Sequence, residues 1–300
     1  MSNGPQETPV LTDGPSEVPL RVPVSGLWTA AVMLTAWVAF VIVISTVLIL
    51  GLLTFGWSWS DISALKVPPG VLVAMTLYQF LAMIGLSVLT ARWVVRRTKE
   101  APTAGMRAIL ALWPAAPIVL ILAALTGVTV GWLPGWAAEF LSREYPWLRL
   151  GSVDLVGDML TEGPLATRLL MIVTVTLLGP VAEELMFRGV LFDAMSRVGG
   201  LFFAVVTTTL LFSAVHLDPA QAIPLLITGA FLGWVRATTG SVWPAVTAHV
   251  VNNTLAVSLA LLGIAEAAVS LPLAMAATCI AAVAVLGTRI AIPVGGTVPG

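Results

Sequence analysis

Charge is scarce in this sequence. Of its 300 residues, 14 are Lys or Arg and 15 are Asp or Glu, 10% in all. A soluble globular domain carries about 25% charged residues, so this chain cannot build the polar shell that a soluble core of its length needs. The formal net charge of −1 excludes the basic footprint of a nucleic-acid binder, and no nucleic-acid partner is expected. A single cysteine, Cys279, excludes an intramolecular disulfide. It lies in an apolar run and carries no information about redox compartment. Histidine occurs only twice, at His216 and His249, so any imidazole chemistry has two possible homes. The N-terminus lacks the basic start and early apolar core of a cleavable signal peptide. The first apolar segment is therefore expected to be a retained helix.

Apolar sequence fills the space that charge leaves. Hydrophobic residues make up 58% of the chain, and uncharged stretches run well past the roughly 20 apolar residues that span a bilayer. The expected fold is an all-α, polytopic transmembrane bundle of about eight spans. Residues 1–22 are rich in Pro, Gly, Ser, Thr and acids and read as a disordered tail. Residues 23–138 hold three spans: about Leu27 to Phe55, Val67 to Ala91, and Ala108 to Ala138, the last with a kinked start at Pro114 and Pro117. Residues 139–165 form a polar, interfacial connection edged by Trp132, Trp136 and Trp147. Residues 166–290 supply five more spans, and 291–300 a C-terminal tail. Within that core, Gly179-Pro180 reads as a kink, Gly199-Gly200 as a turn, and Gly229 with Gly233 as a small-residue packing face.

The basic residues set an orientation. Arg92, Arg96, Arg97, Lys99 and Arg107 cluster between spans two and three, which the positive-inside rule makes cytoplasmic. The N-terminus is then cytoplasmic too. Arg197, Arg236 and Arg289 fall on the same side, and the acidic 139–162 stretch falls outside. The expected location is the plasma (inner) membrane, with lipids as the surrounding partner.

Six polar residues do not belong in lipid. An ionisable group within a span costs roughly 2.5–3.5 kcal/mol on insertion scales and therefore needs a partner or a purpose. Glu183, Glu184, Arg188, His216 and His249 all sit in spans, and Asn253 stands one turn after His249. Glu184 and Arg188 are four apart and can pair on one helix face. Glu183, rotated about 100° from Glu184, needs a partner from another helix. Phe212, four before His216, can pack over its ring. Glu183 lies 16 residues before Gly199 and His216 lies 16 after Gly200. On antiparallel helices the two are at equal depth, about 24 Å from the turn at ~1.5 Å per residue.

Such a set can hydrolyse an amide. Glu183 and His216 can orient and deprotonate water, and His249 with Asn253 can donate to a developing oxyanion. Glu183, His216 and His249 also match a catalytic zinc sphere of two His and one Glu, and spacing does not decide between the two chemistries. In order, Glu183-Glu184-Leu185-Met186-Phe187-Arg188 is EExxxR, Phe212-Ser213-Ala214-Val215-His216 is FxxxH, and His249-Val250-Val251-Asn252-Asn253 is HxxxN. Together these resemble the CAAX protease and bacteriocin-processing (CPBP, or Abi) family of intramembrane endopeptidases, over roughly residues 165–260. The resemblance implies Glu183 and His216 as the water-activating pair and His249 with Asn253 as the oxyanion site. Glu184 and Arg188 are implied as supporting residues. It implies a membrane-associated or lipidated peptide substrate, and either a metalloprotease or a metal-free, glutamate-dependent mechanism. Two other readings compete: a non-catalytic immunity or scaffold protein that uses the cluster for packing, and a proton-relay transporter. The transporter lacks the matched broken helices expected of inverted repeats.

Overall fold

The computed structural model describes residues 26–58, 68–98, 102–148, 152–216, 219–264 and 270–290. The tails expected at 1–22 and 291–300 lie outside these residues, as does Lys99. Among the described residues every regular element is helical. The helices are α1 (Gly26–Thr54), α2 (Pro69–Thr98), α3 (Pro102–Ile109), α4 (Pro117–Val130), α5 (Trp132–Glu144), α6 (Ser152–Thr161), α7 (Leu165–Val173), α8 (Gly179–Glu184), α9 (Phe192–Ala214), α10 (Pro219–Thr239), α11 (Trp243–Leu261) and α12 (Leu271–Ile290). Two π-helical segments, Thr174–Leu178 and Leu185–Leu191, join α7 to α8 and α8 to α9.

Six continuous helical runs are long and apolar enough to cross a bilayer. The longest, Leu165–Ala214, has 50 residues and is two limbs. Gly199 (φ −141°, ψ 16°) and Gly200 (φ 79°, ψ −178°) reverse the chain within α9, and the positive φ at Gly200 is one that only glycine adopts without strain. Counting both limbs, and the 19-residue α11 packed among them, gives eight spans. The protein is an integral membrane protein, and its fold is a transmembrane helix bundle.

The third span begins later than its uncharged run suggests. Ile109 closes α3, and the helix resumes only at Pro117. Proline disfavours helical backbone in the residue before it, and Ala111 turns with φ 53°. The loop between is captured by the α10–α11 turn: Ser241 Oγ donates to the Trp113 carbonyl (2.6 Å), and Val242 N–H donates to the Ala111 carbonyl (2.9 Å). At its other end the span runs on through α5 to Glu144, so part of the polar connection is a helical extension. The rest is not merely superficial. Met159 and Leu160 of α6 are buried with Val73, Met171 and Val257, on α2, α7 and α11.

Glycines let the helices that carry the polar residues approach closely. A Cβ at Gly229 would stand 3.2 Å from Phe212 and 3.3 Å from Thr209, and one at Gly233 would stand 3.3 Å from Val205. That is the packing face expected for α10, and α9 fills it. Gly127 does the same for α11, where a Cβ would collide with the Ala248 carbonyl oxygen and lie 2.9 Å from Val251. Backbone cannot rotate away as a side chain can. Gly127→Ala is therefore expected to lower stability by about 1–3 kcal/mol through overpacking, measured by detergent unfolding. It should also reduce activity, since α11 carries His249 and Asn253. Wild-type stability in Gly127→Ala would mean that α4 does not seat α11.

Candidate active site

The polar residues converge in two layers. The inner layer is sealed: the side chains of Glu184 and Arg188 are 0% exposed and that of His249 is 6% exposed. Arg188 Nη1 donates to Glu184 Oε1 (3.1 Å), the pair expected from their spacing. The same oxygen faces His249 Nδ1 at 2.9 Å. A carboxylate oxygen can only accept, so Nδ1 carries a proton and donates, and Nε2 points the other way. There it meets Glu183 Oε2 at 3.7 Å, too long for a direct hydrogen bond but within reach of one shared water. Glu183 thus finds the partner from another helix that it lacked in sequence.

The outer layer is accessible. Glu183 is 14% exposed, and His216 and Asn253 are half-buried. His216 Nδ1 donates to the Phe212 carbonyl (2.8 Å). An amide oxygen accepts only, so the neutral ring keeps its lone pair on Nε2, as a general base requires. Ser213 Oγ, donating to the Ala222 carbonyl (2.6 Å), fastens this end of α9 to α10. Phe212 joins the two layers. Its ring centroid lies 5.0 Å from His216, 5.9 Å from His249 and 5.3 Å from Phe187, and the Arg188 guanidinium sits 4.6 Å above it. The packing of Phe212 over His216 is the one anticipated. A direct Glu183–His216 contact is not formed: among the described residues, the imidazole that pairs with Glu183 is that of His249.

Asn253 is aimed by the first π segment. Gly179 N–H bonds the Thr174 carbonyl, and Pro180 has no N–H. The Val175 carbonyl therefore has no donor from either residue that could close its turn. Asn253 Nδ2 donates to it at 3.0 Å, which leaves the second Nδ2 hydrogen uncommitted. The expected kink at Gly179-Pro180 is thus an opened helical turn whose spare carbonyl orients a carboxamide. The adjacent Asn252 donates to Asn253 Oδ1 (3.4 Å) and borders a cavity of about 270 Å³ between α4–α5 and α10–α11, lined also by Gly131, Trp132, Gln221 and Thr228. The cavity includes neither Glu183 nor the histidines and reaches the site only along α11.

The zinc alternative meets a geometric obstacle. Among the described residues no three His, Cys, Asp or Glu side chains converge as a metal-ligand cluster, Glu183, His216 and His249 included. As placed they do not fit a three-ligand sphere.

Comparison with known proteins points to a membrane peptidase family. Residues 165–255, which hold all three motifs, match the family described as type II CAAX prenyl endopeptidase Rce1-like. This part of the chain is similar to that family, and the match covers less than a third of the chain. The chain also matches "Putative membrane peptidase YdiL" of Bacillus subtilis (strain 168), 30% identical over 92 residues, which are 31% of this chain and 38% of that protein. The chain therefore aligns with well under half of that relative. No solved structure matches it. The matched segment covers α7, α8, both π segments, α9, α10 and most of α11, and α1 to α6 and α12 lie outside it.

Sequence reasoning named Glu183, Glu184, Arg188, His216, His249 and Asn253, but neither the main-chain carbonyls that Arg188 and Asn253 engage nor Arg236 as a partner of Arg188. Arg188 Nη2 donates to the Gly229 carbonyl (3.0 Å), and Arg236 Nε donates to the Arg188 carbonyl (2.9 Å). Residue identity announces neither acceptor. Pro180 was the one available signal, since a proline within a helix frees a carbonyl one turn earlier.

Proposed function

We propose that the protein is an intramembrane endopeptidase that cleaves a membrane-associated or lipidated peptide, with Glu183 as general base. The observation that carries the reading is the partly exposed Glu183 facing an imidazole whose opposite nitrogen is locked to a sealed Glu184–Arg188 pair. A packing cluster has no use for a carboxylate held at the accessible edge. In this reading Glu183 and His216 hold the water. Glu183 takes a proton as the water oxygen adds to the carbonyl, and returns it to the leaving nitrogen as the C–N bond breaks. The free Nδ2 hydrogen of Asn253, and His249 Nε2 when that ring carries both protons, donate to the oxyanion. The N-terminus is assigned to the cytoplasm and the protein to the plasma membrane, on the arginine distribution given above.

The test is cleavage of a quenched-fluorescence peptide, farnesylated in one arm and unlipidated in the other, by purified protein in nanodiscs. Wild type should cleave, and His216→Ala and Glu183→Ala should each lose about 10²–10⁴-fold in rate. A phenanthroline arm should leave the wild-type rate unchanged, and loss of activity there would return the site to metal chemistry. Cleavage at wild-type rate in both alanine variants would sink the proposed mechanism, and no cleavage by wild type would leave the second reading, a non-catalytic immunity or scaffold protein. What favours that reading is the complete burial of Glu184 and Arg188, which packing alone could use.

A further inference from the structure

We propose that Arg236 is a positioning residue for the candidate active site, acting through the backbone of Arg188 rather than by touching substrate. This rests on the peptidase reading, though part of its test does not. The starting point is the second π segment. A turn closed from residue i to i+5 holds more residues than an α turn, so side chains four apart stand more directly above one another. Glu184 and Arg188 bracket such a turn. Its end is marked by Phe192, whose N–H bonds the Phe187 and Gly189 carbonyls and not that of Arg188. The Arg188 carbonyl thereby loses the donor an α-helix would give it. Arg236 supplies one, with Nε at 2.9 Å and its guanidinium carbon 4.8 Å over the Phe192 ring, the residue at which α-geometry resumes.

α10 holds Arg188 at both ends. The Gly229 carbonyl accepts from the Arg188 guanidinium (3.0 Å), and Arg236 donates to the Arg188 carbonyl. Gly229 and Arg236 are seven residues apart, two turns along one face of α10. From there the ties run in one direction: Arg236 fixes the Arg188 backbone, Arg188 meets Glu184 Oε1, Glu184 meets His249 Nδ1, and His249 Nε2 faces Glu183. Loss of the Arg236 donor leaves a buried carbonyl without its side-chain partner and favours closure of the π turn. That rotates Arg188 and Glu184 away from His249.

The experiment compares Arg236→Met, Arg236→Lys and Arg236→Gln with wild type in the cleavage assay and in NMR of histidine-labelled full-length protein. The chain contains two histidines, and a His216→Gln control assigns their signals. Arg236→Met is expected to lower kcat by about 10–100-fold with KM within about twofold, the size of effect that a misplacement near 1 Å produces. It should shift the His249 ring signals and leave those of His216 in place. Arg236→Lys, which keeps a donor, should restore kcat to within about threefold of wild type and restore the His249 signals. Wild-type kcat in Arg236→Met would overturn the proposal, as would equal movement of both histidines or a lysine variant as impaired as the methionine one. If Arg236→Met does not fold, Arg236→Gln, too short to reach the Arg188 carbonyl, takes its place under the same criteria. A wild-type protein that cleaves nothing, or a Glu183→Gln variant that cleaves normally, would sink the peptidase reading. The His249 shift would still decide the positioning role.

Discussion

Glu183→Gln is expected to lower kcat by about 10²–10⁴-fold, the contribution of a positioned general base, while leaving the unfolding midpoint within a few degrees of wild type. The two halves of this expectation have separate physical origins. Glutamine keeps the size and the hydrogen-bonding capacity of the side chain but cannot accept a proton from water. Glu183 sits at the accessible edge, 3.7 Å from His249 Nε2, so little packing depends on it. Glu184→Gln makes the informative contrast. Glu184 is sealed and its Oε1 serves both Arg188 and His249, so removing its charge leaves a buried guanidinium uncompensated. It should lose stability as well as activity. The pair is adjacent in sequence and chemically identical, yet activity measured beside detergent unfolding should divide it. Equal stability losses in the two variants would mean that the layers are not distinct.

That division was only partly legible in the sequence. The Glu184–Arg188 pair followed from a spacing of four, and the need of Glu183 for a partner followed from its rotation off that face. Counting outward from Gly199-Gly200 set Glu183 and His216 at equal depth as an expectation, whereas the imidazole that Glu183 faces is that of His249. Each argument uses side chains at fixed periods, which a sequence displays. What was hidden depends on departures from the period. The two π segments shift the register by a fraction of a turn, which is enough to place Glu184 Oε1 between Arg188 and His249 and to make His249 the imidazole facing Glu183. Their surplus carbonyls, at Val175 and Arg188, are then taken by Asn253 and Arg236. A main-chain acceptor has no residue identity, so Arg236 reads in the sequence as one more cytoplasmic charge. The break at Leu110–Ala116 was hidden for a similar reason. Its prolines were visible, but the capture of the loop by Ser241 and Val242 was not.

Arg188→Met is expected to destabilise the protein by about 3–5 kcal/mol, the cost of leaving one member of a buried ion pair without the other. Glu184 would keep only His249, and the Gly229 carbonyl would lose its donor. The double variant Glu184→Met/Arg188→Met should recover most of that loss. Replacing both charges with apolar side chains of similar length removes the desolvation cost together with the attraction, and such replacements are often neutral or stabilising. The recovered protein should nevertheless be inactive, because His249 Nδ1 would have no acceptor to fix its proton and aim Nε2 at Glu183. Stability would return without catalysis, which is the signature of a network kept for geometry rather than for holding helices together. A double variant that regains both would show that the Glu184–His249 contact is dispensable. A single variant costing less than about 1 kcal/mol would show that water reaches Arg188, and that the inner layer is not sealed when the protein sits in its membrane.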